Sequence, residues 1–206
     1  MSLNDKQIQI LAVAEELIAK NGFDGTSVRD IAKAAKVNIA MISYYFGSKD
    51  KLLEALFLYR ISDFRMVLET VLSQDLSFFE MMDEIVALTI KRIHKNRRIH
   101  KIVNFEFSNG TRDIDFDLYV NQKKENLLVI DNFIKKGQEE GVFNKNVNIQ
   151  MLTPTILGTY FHFYYNKRFY QSLLELEDDQ AIDNYVHTTL TQHVQQTIKA
   201  VLTNEK

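Results

Sequence analysis

Residues Gly25–Leu56 read GTSVRDIAKAAKVNIAMISYYFGSKDKLLEAL, and this stretch decides the fold. Thr26 or Ser27 supplies a hydroxyl able to cap a helix, and Val28, Ile31, Ala32 and Ala35 recur at helical spacing as its buried stripe. Val37 follows in a short turn; Asn38 then caps a second helix, about Ile39 to Phe46, which Gly47-Ser48 breaks. Ala32 stands where the two helices cross, since only a small side chain lets the backbones approach, and Ile42, ten residues on, packs the second helix onto the first. Ile31, Ala35 and Val37 close the same small core. Two short helices joined in this way form a helix-turn-helix, whose second helix enters the DNA major groove. Lys36 occupies the turn where glycine is usual. A positive φ there costs a lysine about 1 kcal/mol or more, so a slightly strained turn is expected.

Outward from this core the pattern stays helical. Ile10, Leu11, Ala14, Leu17 and Ile18, with Glu15, Glu16 and Lys20 between them, predict an amphipathic helix from about Asp5 to Lys20. Asn21-Gly22 ends it, and Phe23 folds back as an anchor. Ser48 starts a fourth helix through Leu52, Leu53, Leu56, Phe57 and Tyr59, running to about Leu72. Further helices are expected at about Ser77–Lys95, Arg98–Phe107, Phe116–Glu140, Ile149–Leu173 and Asp178–Thr203. The breaks between them are Asn96, Ser108-Asn109-Gly110, Gly141–Asn144 and the acidic stretch Glu175–Asp179. Pro154 sits in the first turn of its helix, where a missing donor costs least. One proline and seven glycines in 206 residues leave little punctuation for a many-turned β fold. The expected class is all-α, with about nine helices.

Taken together, these residues resemble the DNA-binding signature of the tetracycline-repressor (TetR) family. The marks are Thr26–Ala32 (TSVRDIA) after the Gly22-Phe23 anchor, Tyr44-Tyr45-Phe46, and Gly47–Leu53 (GSKDKLL); they are dense over residues 8–57. The resemblance implies that Thr26 and Ser27 offer hydroxyls and helix N-terminal amides to a phosphate, and that Arg29 faces the groove to pair with guanine or phosphate. It implies that Asn38, Ile39, Ala40, Met41, Ser43 and Tyr44 face DNA, that Tyr45 and Lys49 clamp phosphates, and that Phe46 packs back. Ile39, Met41 and Ser43 replace a lysine, a threonine and a tyrosine frequent in the family. Readout of thymine methyls by Ile39, Ala40 and Met41, with Ser43 and Tyr44 as polar contacts, is therefore expected on A·T-rich half-sites.

The same resemblance implies a larger plan. Residues 1–46 would form the DNA-binding domain and residues 47–206 a regulatory and dimerisation domain, with the helix of about 48–72 linking the two. A homodimer, joined through the last two helices in a four-helix bundle, would set two recognition helices on a pseudo-palindromic double-stranded operator. A small-molecule effector in the large domain would pivot the fourth helix and release DNA, making the protein a repressor.

Local charge agrees with this placement. Residues 26–51 carry five cationic side chains against two carboxylates, whereas residues 61–206 carry 17 against 20, in a chain of net charge −2. A second basic run, Ile90–Lys101 (IKRIHKNRRIHK), reads either as an anion or DNA-flank site or as a solvated helix junction with cations near a helix C-terminus; the junction is the plainer reading. The aromatic run Tyr160–Tyr170 (YFHFYYNKRFY) goes nearly all round its helix and so is buried on several sides. It reads as core and dimer interface or as pocket wall, with Tyr160, His162 and Phe163 the candidate effector contacts. Phe105, Phe107, Phe116 and Tyr119 are candidates for an opposite wall.

Other function classes find no support. The chain has no cysteine, which excludes disulfides, zinc-thiolate sites and thiol catalysis. Its five histidines form no recognisable ligand set, and His162 reads as a pocket or core residue. No nucleophile–base pair or glycine-rich phosphate loop suggests an enzyme, and no cofactor is expected. The N-terminus lacks a secretory pattern, and no apolar run reaches the ~20 residues needed to span a bilayer. A soluble, cytoplasmic protein is expected.

Overall fold

The structure, a computed structural model, describes residues 3–109 and 115–203. Among these residues all regular structure is helical. The helices are α1 (Asp5–Asn21), α2 (Val28–Ala34), α3 (Ile39–Phe46), α4 (Lys49–Ile61), α5 (Phe64–Leu72), α6 (Phe78–Lys95), α7 (Arg97–Asn109), α8 (Asp117–Glu139), α9 (Leu152–Tyr165), α10 (Lys167–Leu173), α11 (Asp179–Tyr185) and α12 (Thr191–Leu202). A 3₁₀ turn, Ile149–Met151, leads into α9, and a π-helical turn, Val186–Leu190, joins α11 to α12. Gly110, in the expected break after α7, lies outside the described residues.

Two compact units result. The first holds residues 1–64 and 96–125. Ile10, Leu11, Ala14 and Ile18 of α1 are buried against Ile31 and Ala32 of α2, Ile42 of α3, Leu52, Leu53, Leu56 and Phe57 of α4, and Ile99, Ile102 and Val103 of α7. The small helices 1–3 therefore share one core with α4 and part of α7. Asn4 opens α1 with a reciprocal capping box to Gln7, and Gly22 closes it at φ 78°. Glu15, read in the sequence as one of the polar residues between apolar ones, is buried. It lies at i+4 from Leu11 on the apolar stripe, and Arg60 of α4 donates from Nε to its Oε2 at 2.7 Å. A buried carboxylate left alone is costly; paired, it pins α4 to α1.

The second unit holds residues 65–95 and 126–206. Its core runs along Met82, Ile85, Val86 and Ile90 of α6, Ile156, Tyr160 and Phe163 of α9, and Val194, Ile198 and Leu202 of α12. At the end of α8 the chain turns back so that Phe143 packs edge-on to Phe78, Phe79 and Phe133, with ring centroids 5.3–5.7 Å apart. Gly137 makes this possible: a Cβ there would lie 2.3 Å from the Phe143 ring.

Two expected helices are broken. The single helix of about 48–72 is interrupted at Ser62-Asp63, separating α4 from α5. Ser62 donates its hydroxyl to the Tyr59 carbonyl at 3.3 Å, the local competition with helix hydrogen bonding that serine and aspartate favour. The helix of about 149–173 is likewise divided at Asn166, whose amide donates to the His162 carbonyl at 2.8 Å.

Candidate nucleic-acid interface

The helix-turn-helix is built from its caps inward. Ser27 caps α2, and its hydroxyl accepts from the Asp30 N–H while the Asp30 carboxylate accepts from the Ser27 N–H at 3.0 Å. The hydrogen bond from the Ser27 hydroxyl, and next that from its N–H, hold the Asp30 carboxyl below its ordinary value. At the other end of α2 the chain turns through Lys36, with φ 53°. The Lys36 N–H donates to Lys33 and the Val37 N–H to Ala32, at 3.2 and 3.0 Å, so the last carbonyls of α2 are met. The expected strained turn is present, with lysine held in the left-handed region. Gln9 of α1, not singled out in the sequence, donates its side-chain amide to the Ala35 carbonyl at 3.0 Å and ties the turn to α1.

Across the turn, Ala32 and Ala35 are buried beneath Ile42, which leaves 2% of its surface exposed. Asn38 caps α3, its Oδ1 accepting from the Ala40 N–H at 2.9 Å. The buried side of α3 is Ile42 and Phe46; the opposite side presents Ile39, Ala40, Ser43 and Tyr44, all exposed. These four positions share one face because residues four apart stack along a helix. Ile39 is 43% exposed and Tyr44 84%, and Asn38 is exposed at the start of the face. Met41 and Tyr45 lie at its borders, half-buried, with Tyr45 edge-on to Tyr44 at 5.3 Å. Ser27 and Arg29 of α2 are exposed as well.

Thr26 and Lys49 are placed differently from the expectation of phosphate contacts. Thr26 is fully buried; its hydroxyl donates to the Gly22 carbonyl at 2.8 Å and its N–H to Phe23 at 3.2 Å. Lys49 Nζ donates to the Phe23 carbonyl at 2.8 Å and the Thr26 carbonyl at 2.9 Å, and lies 4.0 Å from the centre of the Phe23 ring. An ammonium with three donors, two of them committed to fixed carbonyls, is a structural tie. It fastens the start of α4 to the segment between α1 and α2.

The candidate effector residues divide between the units. In the first, Tyr119 is buried against Phe57 and Phe107, at 5.8 Å from each, and burial raises its phenol above the ordinary value. Phe105 is 56% exposed and lines a cleft of about 220 Å³ with Ile18, Phe23 and Ile102. In the second, Tyr160 and Phe163 are buried, whereas His162 is exposed, because two residues along α9 turn it well away from Tyr160. The core histidine is His94 of α6. Its Nδ1 lies 2.9 Å from the Tyr160 hydroxyl and its Nε2 2.8 Å from Asp183 Oδ1, so one imidazole joins α6, α9 and α11. In sequence His94 sat within the basic run, which hid its burial; its i, i+4 relation to Ile90 was the available signal.

Comparisons with known proteins match the chain in two stretches. Residues 10–56 match the model for bacterial regulatory proteins of the tetR family, and residues 79–199 match the model for a tetracyclin repressor-like C-terminal domain. The chain is 37% identical over 105 residues to the probable HTH-type transcriptional regulator YttP of Bacillus subtilis (strain 168), a match covering 50% of this chain and 49% of YttP. The chain thus spans about half the length of that relative. It is 27% identical over 190 residues to the HTH-type transcriptional repressor NicS of Pseudomonas putida, covering 84% of this chain and 82% of NicS. Among solved structures, FadR from Bacillus subtilis in complex with stearoyl-CoA superposes with a TM-score of 0.72 at 18% identity, over 95% of this chain and 98% of that one.

Proposed function

This chain belongs to the tetR family of bacterial regulatory proteins, and from that premise we propose that it is a ligand-responsive repressor of transcription, binding a pseudo-palindromic operator as a homodimer. The observation that carries the reading is the exposed face of α3: Asn38, Ile39, Ala40, Ser43 and Tyr44 stand clear of the core that holds the helix by Ile42 and Phe46. A tyrosine 84% exposed on an eight-residue helix is largely free of the core, and it suits a groove or phosphate contact. Ser27, Arg29 and Tyr45 frame the face, with Met41 at its edge. Thr26 and Lys49 serve it from behind by fixing its frame. Residues 1–46 act as the reading head, residues 47–206 regulate and dimerise, and α4 follows directly from the reading helix.

Dimerisation is assigned to the last helices. Met151 at the end of the 3₁₀ turn, Thr155, Gly158, His162 and Tyr165 along α9, and Phe169 on α10 beyond the Asn166 break recur at three- and four-residue steps, none of them fully buried in the single chain. Such a stripe of small and large residues fits close helix packing against a second copy. The effector is a small molecule bound in the regulatory part; it releases DNA only by favouring the released conformation over the bound one. No helix among the described residues is long and apolar enough to cross a membrane, which fits a regulator working on cytoplasmic DNA, with no enzymatic activity and no cofactor assigned.

The test is operator selection from random duplex DNA, followed by binding assays on the recovered site with wild type and Tyr44→Ala. A recovered inverted repeat, bound at least tenfold more weakly by the variant at unchanged melting temperature, is the expected result. A variant that binds equally well, or selection that recovers no preferred sequence, overturns the reading.

A further inference from the structure

The reading helix carries no charged side chain: α3 is Ile-Ala-Met-Ile-Ser-Tyr-Tyr-Phe. Bases are most strongly specified in the major groove by arginine or lysine on guanine and by asparagine or glutamine on adenine, each in a two-pronged hydrogen bond. None of these lies within α3. Asn38, at its start, turns its carbonyl oxygen onto the Ala40 N–H at 2.9 Å, which uses one of that oxygen's two lone pairs and ties the amide's orientation to the helix cap. What the helix presents instead is hydrocarbon: Ile39, 43% exposed, and next to it the methyl of Ala40, also exposed. Met41 is half-buried and stands beside rather than on this face. The group in the major groove that hydrocarbon recognises is the C5 methyl of thymine.

We propose, resting on the DNA-binding reading above, that this protein identifies its half-site chiefly through thymine methyl groups docked on Ile39 and Ala40. Ser43 and Tyr44 supply hydroxyl contacts beside them, and Arg29 on α2 holds the flank. The helix reads methyl groups rather than hydrogen-bond patterns, so its specificity is for thymine as a methylated base.

The experiment uses the full-length protein and a duplex it has itself selected from a random pool. Each thymine in the half-site core is replaced in turn by deoxyuridine, which removes the methyl and leaves every hydrogen-bonding group and phosphate in place. At one or two positions per half-site the dissociation constant should rise about fourfold, the worth of roughly one buried methyl. The loss should approach fifteenfold when both half-sites are changed, on the same constant. Ile39→Ala should bind the thymine duplex more weakly and lose the thymine-over-uracil preference at one or more of the sensitive positions, at an unchanged melting temperature. Tight selected binding that ignores every uracil substitution overturns the inference while leaving the repressor reading intact. So does an Ile39→Ala variant that keeps the full thymine preference. Failure to select any duplex would instead sink the reading on which it rests, and the inference with it.

Discussion

Lys36 is held at φ 53° in the turn between α2 and α3, a conformation that costs a side-chain-bearing residue roughly 1–2 kcal/mol. Replacing it by glycine removes that cost but gives the unfolded chain more freedom, worth roughly 0.5–1 kcal/mol in the opposite sense. Lys36→Gly should therefore stabilise the protein by no more than about 1.5 kcal/mol, read as a higher urea midpoint at unchanged slope. A lower midpoint would mean that the lysine side chain holds the turn in place. Ala32 gives the opposite case: 4% exposed at the helix crossing, it has no space for a larger group. Ala32→Leu should cost about 1–3 kcal/mol through overpacking and weaken operator binding by misplacing α3. At this scale the framework was legible in the sequence, because Ala32, Ile42 and the turn lysine are constrained by local geometry. Lys49 and Thr26 were not: whether a surface-type side chain turns outward or finds a backbone carbonyl depends on the path of residues 22–26, which no local pattern reveals.

Among the elements, α2 is held at its start by the exchange between Ser27 and Asp30. The depressed Asp30 carboxyl implies support that is present above the unfolded carboxylate value of about 3.9 and lost as pH falls through the lower folded value. Ser27→Ala removes the hydroxyl and keeps the N–H, so it should move the Asp30 titration, followed by NMR, part of the way back toward the ordinary range and destabilise α2 by about 1 kcal/mol. An unchanged Asp30 titration would show that the cap does not form. On α9, an added Cβ at Gly158 would meet nothing within 4 Å in its own chain, although glycine inside a helix costs about 1 kcal/mol relative to alanine. The dimer proposed above accounts for it, since a second copy packed on this face would use the close approach that glycine allows. Gly158→Leu should shift the protein from dimer to monomer in sedimentation while leaving its helical circular dichroism in place; a dimer that persists unchanged would place the interface elsewhere. Helix existence was readable from apolar spacing nearly throughout, but the interruptions at Ser62-Asp63 and Asn166 were not. Serine, aspartate and asparagine favour caps and turns but also occur inside helices, and tertiary packing decides.

For the molecule as a whole, a net charge of −2 conceals a cationic surplus around the reading face. Operator affinity should fall steeply with salt, and the logarithmic slope should be set by the number of phosphates met. Arg29→Ala should reduce that slope by about one for each half-site if the guanidinium meets a phosphate. An unchanged slope with altered base preference would assign it to a base instead. The effector contacts were the least legible part. Aromatic richness in Tyr160–Tyr170 serves packing, the hydrogen bond to His94 and the proposed interface alike, and composition cannot apportion one ring among these uses.

The tie made by Lys49 has acceptors of an unusual kind for a polar anchor. Both are main-chain carbonyls, of Phe23 and Thr26, and every amino acid that could replace those two residues brings the same carbonyl with it. Tolerance to mutation at this joint is therefore one-sided. Drift at positions 23 and 26 alters packing, including the Phe23 ring beside the ammonium, but leaves the acceptors in place, whereas the donor comes from position 49 alone.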